Sequence, residues 1–308
     1  MPFVFKRVAI APRNLTAEWP LRTLARGKAA VSNLIMETFT SSRGTLHPET
    51  ERNGSVEFAR FIAAIGIIWF HEQVPGGEIG LAGLSVFTVF VTYYAAQSSK
   101  ISFVVLRIWA VWCAIYLFAN LADVTLTSQT FADKFHWWML ATGPAIHLWF
   151  LPFAFVIGLI VKRGPPGYAL LTLLTGVFFF ANFEMKPLTQ YGSVMPAVMV
   201  GIVMAISKNN KVAAAAAVLA LGVTADISLI LGGAVAALAL IFPVRISWAV
   251  KILGRASLTM YLAHPAISAA LKYAHLDPIP KAVAVVLASI AVAIILDHIP
   301  AKRLLALK

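Results

Sequence analysis

Apolar residues run through this chain in long blocks, not in strict alternation. They gather into about ten stretches, at 56–74, 79–97, 101–121, 144–161, 167–183, 191–207, 211–225, 227–243, 256–274 and 281–298. A helix needs roughly 20 mostly apolar residues to cross about 30 Å of hydrocarbon, and most of these runs approach that length. The pattern predicts an all-α, polytopic membrane protein. The break between the seventh and eighth stretches rests on Thr224, Ala225 and Asp226. Joining them would leave nine spans.

Composition agrees with the pattern. Of 308 residues, 60% are hydrophobic and 12% charged. Mean hydropathy is +0.82. Soluble domains carry about 25% charged residues, so too little polar surface remains to cover a water-soluble globule. The net charge of +12 would raise nucleic-acid binding in a soluble protein. Here the basic residues sit in short connections and in the N-terminal tail, where topology accounts for them, and no nucleic acid is expected.

Those charges also orient the chain. With the N-terminus inside, the inner connections hold Lys100, Lys162, Arg163, Lys208, Lys211, Arg245, Lys251 and Arg255. The C-terminal tail adds Lys302, Arg303 and Lys308. The outer connections hold Glu72, Glu78, Asp123, Asp133, Glu184, Asp226 and Asp277, with fewer basic residues. This is the bias of the positive-inside rule, and ten spans with both termini cytoplasmic satisfy it. Residues 1–54 read as a basic cytoplasmic tail without the apolar core of a secretory signal. An alternative reading starts translation at Met36. Residues 55–300 form the membrane domain, and 301–308 a short cytoplasmic tail. The single cysteine, Cys113, lies in an apolar run, cannot form an intrachain disulfide, and reads as a packing residue.

Ionisable groups inside the apolar runs are costly and therefore candidates for function. Arg60 and His71 flank the first run, "RFIAAIGIIWFH". Eleven helical residues rise about 16 Å. They turn to within about 20° of three full turns, so the two side chains share a face. Arg60 points toward the cytoplasm and His71 outward. The plainer reading has Arg60 snorkelling to headgroups and His71 merely ending the helix. Arg107, seven residues into the third run, falls at a depth like that of Arg60. Two guanidiniums at one depth repel unless an anion lies between them, and phosphate suits their planar fork. Lipid headgroups are the alternative anion.

"HLWFLP" places His147 and Trp149 near the outer face, with Pro152 expected to kink the helix or free a carbonyl. In "SLTMYLAHP", Ser257, Tyr261 and His264 fall on one stripe, and Pro265 loosens the helix beside them. A structural hydrogen-bond cluster is the alternative there. Three histidines on three runs raise a metal site, but no pair has ligand spacing and no metal is expected. A histidine acting as base on a hydroxyl acceptor is the simpler chemistry.

Taken together, Arg60-x10-His71, "HLWFLP" and "LGRASLTMYLAHP" at 253–265 resemble the motifs of the acyltransferase-three family of bacterial membrane O-acyltransferases. The resemblance covers roughly 55–300. It implies transfer of an acyl group, usually acetyl, from cytoplasmic acyl-CoA to a sugar hydroxyl of exopolysaccharide, lipopolysaccharide or a lipid-linked precursor. It implies His71 as the catalytic histidine and Arg60 and Arg107 as donor-binding residues. His147, Trp149, Ser257, Tyr261 and His264 are then substrate or supporting residues. A bacterial inner-membrane location, contact with membrane lipids and association with a glycan assembly complex follow from the same likeness. Two departures stand out. The second run, "GLAGLSVFTVFVTYYAAQSS", lacks the family's Ser-Gly pair, and Trp109 stands where a proline is common after the third-run arginines. A transporter or flippase, or a non-catalytic subunit of a polysaccharide assembly system, is the competing expectation.

Overall fold

The computed structural model describes residues 53–298, apart from 99–101, 127–129, 182, 184, 186–187, 225 and 246–247. The N-terminal tail through residue 52, Lys100, Glu184, Lys186, Lys302, Arg303 and Lys308 therefore lie outside the described residues.

Every described element is helical. The helices are α1 (Gly54–His71), α2 (Ala82–Gln97), α3 (Val104–Leu126), α4 (Phe131–Lys134), α5 (Met139–Thr142) and α6 (Phe150–Val161). They continue with α7 (Pro165–Ala181), α8 (Leu188–Ile206), α9 (Lys211–Ala220), α10 (Ile227–Ile241), α11 (Trp248–Leu271) and α12 (Pro278–His298). Short 3-10 turns at Gly77–Leu81 and Ile146–Trp149 lead into α2 and α6. Each of the ten apolar stretches of the sequence coincides with a helical segment. Among the described residues, five segments are long and apolar enough to cross a membrane: Gly54–His71, Gly77–Gln97, Val104–Thr125, Leu188–Ile206 and Pro278–Leu296.

Local chemistry sets the boundaries. Asn53 caps α1 by accepting from Ser55 N at 3.0 Å. Gln73 and Gly76 end its exit turn in left-handed conformations, φ 54° and 73°. Asp226 breaks the chain between α9 and α10 because its Oδ1 accepts from Ser228 N and Leu229 N as an N-cap.

Two expectations need correction. Residues 248–255 are not a loop, because α11 begins at Trp248. Lys251 and Arg255 break the hydropathy run yet are good helix formers. Pro152 does not kink α6. It is the third residue of that helix, where a missing N–H is tolerated because first-turn N–H groups have no intrahelical partner.

α1 and α2 are central. α1 packs on α11, α2 and α12, while α2 packs on α8, α10 and α6. Small residues permit these approaches, as membrane helices require. A Cβ at Gly83 would collide with the Ala63 carbonyl of α1, and one at Gly254 with Glu57. α3 lies toward the outside. Trp109 Nε1 donates to Thr142 O at 3.1 Å and Asn120 Nδ2 to Pro144 O at 2.9 Å, which fastens the 139–145 segment to it. Large apolar side chains such as Phe118, Phe180 and Leu219 face outward, as lipid contact would favour.

Candidate functional site

Three elements bring three imidazoles together. His71 ends α1, His147 lies in the 3-10 turn before α6, and His264 lies inside α11. The His71 and His264 ring centroids are 5.1 Å apart, and those of His147 and His264 5.8 Å. His264 is fully buried and His147 nearly so, whereas His71 is exposed. His71 opens into a cleft of about 410 Å³ lined also by Phe70, Gln73, Val74, Gly77 and Glu78. A reacting group can therefore reach His71 from solution, with His264 directly behind it.

The "YLAHP" motif explains how His264 is oriented. Pro265 has no N–H, so the Tyr261 carbonyl four residues earlier loses its helical donor. His264 Nδ1 lies 2.7 Å from that oxygen. A carbonyl only accepts, so Nδ1 carries the proton and the neutral ring keeps its lone pair on Nε2. That Nε2 is buried without a hydrogen-bond partner, as is His147 Nε2.

Two tyrosines clamp the cluster. Tyr261 Oη donates to the His147 carbonyl at 2.5 Å, joining α11 to the 3-10 turn. Tyr116 Oη donates to Leu262 O at 2.8 Å, and its ring meets the His147 ring edge-on at 4.8 Å. Tyr116 lies outside the motifs that the sequence presents. The available signal was a phenol in an apolar run, whose hydroxyl must find a partner when buried. Glu72, an outer-connection charge by the sequence pattern, is buried, with Oε2 2.8 Å from Lys281 Nζ of α12. This ion pair holds the residue next to His71.

The other candidates lie apart from the histidines. Trp149 is buried against Phe150, Phe153 and Tyr191. Ser257 donates to its own helix at Gly254 O, 2.7 Å away, as a structural hydroxyl. Arg60 is half-buried in the second turn of α1, with Nη1 3.3 Å from Glu57 Oε2. Its remaining N–H groups leave capacity for a second anion. Arg107 is exposed in the first turn of α3, because that helix starts at Val104 rather than near 101, so it lies closer to the helix end than its place in the apolar run implied. Among the described residues no group of three histidine, cysteine, aspartate or glutamate side chains is placed to hold a metal ion.

No protein-family model, curated protein or solved structure matches this chain. The likeness to the acyltransferase-three family therefore rests on its motifs.

Proposed function

We propose that this chain is a multi-pass membrane O-acyltransferase that moves an acyl group, acetyl in the simplest case, from acyl-CoA to a sugar hydroxyl of a surface glycan or its lipid-linked precursor. One observation carries the reading: His71 lines an open cleft while its ring rests on a second histidine that has a fixed tautomer. The ten-span topology with cytoplasmic termini, and the bacterial inner membrane as its location, belong to the same proposal.

In the proposed reaction the sugar oxygen attacks the thioester carbonyl carbon as its proton moves to the His71 imidazole. The tetrahedral intermediate collapses with cleavage of the C–S bond. The CoA thiolate leaves and takes the proton back from the imidazolium. His264 packs against the His71 ring and His147 against His264, which holds the ring in place. Arg60 and Arg107, each in the first two turns of its helix, would engage donor phosphates by charge-assisted hydrogen bonds.

The test expresses wild-type and His71→Ala protein at equal levels in a glycan-producing host and measures ester-linked acyl groups on the glycan. Ester is expected with wild type and lost with the variant. Equal acylation by both would overturn the assignment. Loss of the glycan itself on deleting the protein would favour transport or assembly.

A further inference from the structure

A second and larger cleft, of about 710 Å³, lies between α7, α8 and the start of α10. Its volume falls within the range of small-molecule sites. Phe178, Phe179 and Phe183 supply aromatic surface, with Phe178 and Phe183 in edge contact at 5.1 Å. The polar lining has one character, because its hydroxyl protons are already committed. Thr189 Oγ1 donates to Phe183 O at 2.7 Å, Ser193 Oγ to Gln190 O at 2.8 Å, and Thr224 Oγ1 to Leu221 O at 2.6 Å. What remains on each is lone pairs.

Two further acceptors join them. Pro196 lies inside α8 and has no N–H, so the Gly192 carbonyl loses its helical donor, and both residues line the cleft. Gly192 has no side chain to cover that carbonyl. Asp226 adds a carboxylate. Its Oδ1 already accepts from Ser228 N, Ser228 Oγ and Leu229 N, which engages much of its charge in capping α10. Among the described residues the cleft offers aromatic faces and acceptors, which suit a ligand with apolar C–H faces and many O–H donors.

We propose that this cleft binds a neutral sugar residue of the acceptor glycan, away from the hydroxyl that is acylated. Phe rings take the C–H face of the pyranose, and Gly192 O, Ser193 Oγ and Asp226 accept from its hydroxyls. A run of aromatic contacts leads from the cleft toward the turn that carries His147. Tyr191, next to Gly192, stacks on Phe153 at 5.4 Å and meets Trp149 at 5.6 Å, and Trp149 is two residues from His147. An extended glycan lying along this end of the bundle would touch both. The role as acceptor subsite rests on the acyltransfer reading, whereas sugar binding itself does not.

The test separates the two. In a Cys113→Ala background, Leu188→Cys places one thiol in the lining of the cleft, away from its named acceptors, in protein held in lipid nanodiscs. Maleimide labelling is timed with and without neutral trisaccharides built of glucose, galactose or mannose, and with choline. At least one trisaccharide is expected to slow labelling severalfold in a saturable way, and choline to leave it unchanged. Pro196→Ala returns an N–H to the Gly192 carbonyl and is expected to weaken that protection severalfold without loss of folded protein. His71→Ala is expected to leave protection intact, so loss of ester with retained protection separates failure of catalysis from failure of binding. No protection by any trisaccharide, protection by choline alone, or protection unaffected by Pro196→Ala would overturn the proposal.

Discussion

Replacing Pro265 by alanine is the sharpest probe of how the site is set. In the wild-type helix the Tyr261 carbonyl lacks the N–H four residues on, and His264 Nδ1 donates to it at 2.7 Å. Alanine restores an N–H four residues on, aimed at the same oxygen. His264 then loses a hydrogen bond whose net worth is about 1 kcal/mol. That corresponds to roughly a fivefold fall in the preference for the Nδ1–H tautomer. Removing an interior proline also relieves up to about 3 kcal/mol of helix strain, so the variant is at least as stable as wild type. Any lost transfer activity is therefore not unfolding. The assay is nitrogen-15 NMR of histidine-labelled protein in nanodiscs. The chain has 7 histidines, and a His264→Asn sample identifies the resonance. Wild type should show a protonated Nδ1 and an unprotonated Nε2, and Pro265→Ala a shift toward Nε2–H. A wild-type signal already protonated on Nε2, or an unchanged tautomer ratio in the variant, would refute the reasoning.

Other perturbations have defined outcomes. Lys281→Met leaves the buried Glu72 carboxylate unpaired and should lower stability by about 3 kcal/mol, the low end for a broken buried pair because Lys281 is partly exposed. Adding Glu72→Gln should recover much of that loss, as read by thermal unfolding in detergent. Tyr261→Phe frees the His147 carbonyl and should cost about 1 kcal/mol in stability, while acyl transfer falls further than stability alone accounts for. Gly254→Leu, which drives a side chain into Glu57, should destabilise by about 1–3 kcal/mol and reduce the yield of folded protein.

The helical architecture was legible because the apolar runs are long enough to need helices, whereas the break at Asp226 takes its reason from the cap seen in the structure. α11 was less legible, since Lys251 and Arg255 look like loop charges to a hydropathy scan and like ordinary helix residues to the backbone. The sequence singles out His71, His147 and His264 on three apolar runs, but no local spacing reports that their rings meet. The partner of Glu72 could not be anticipated either. Lys281 lies on the far side of the sequence, and no local spacing reports such a contact. Arg107 illustrates another limit. Depth counted from the edge of an apolar run is not depth counted from the start of a helix. The prolines carried more than their helix-breaking character suggested, because what matters is which carbonyl each one releases and what stands ready to bond it.

The Glu72–Lys281 pair has a consequence for how the protein is made. Glu72 closes the first described helix and Lys281 belongs to the last. A ribosome delivers the carboxylate some two hundred residues before the ammonium that neutralises it. Until α12 arrives, the end of α1 must keep Glu72 in water or at the headgroups, and His71 with it. Glu72 is thus neutralised by Lys281 only on chains whose last described helix has been made. Chains stalled before that point would retain an unpaired acid at the end of α1.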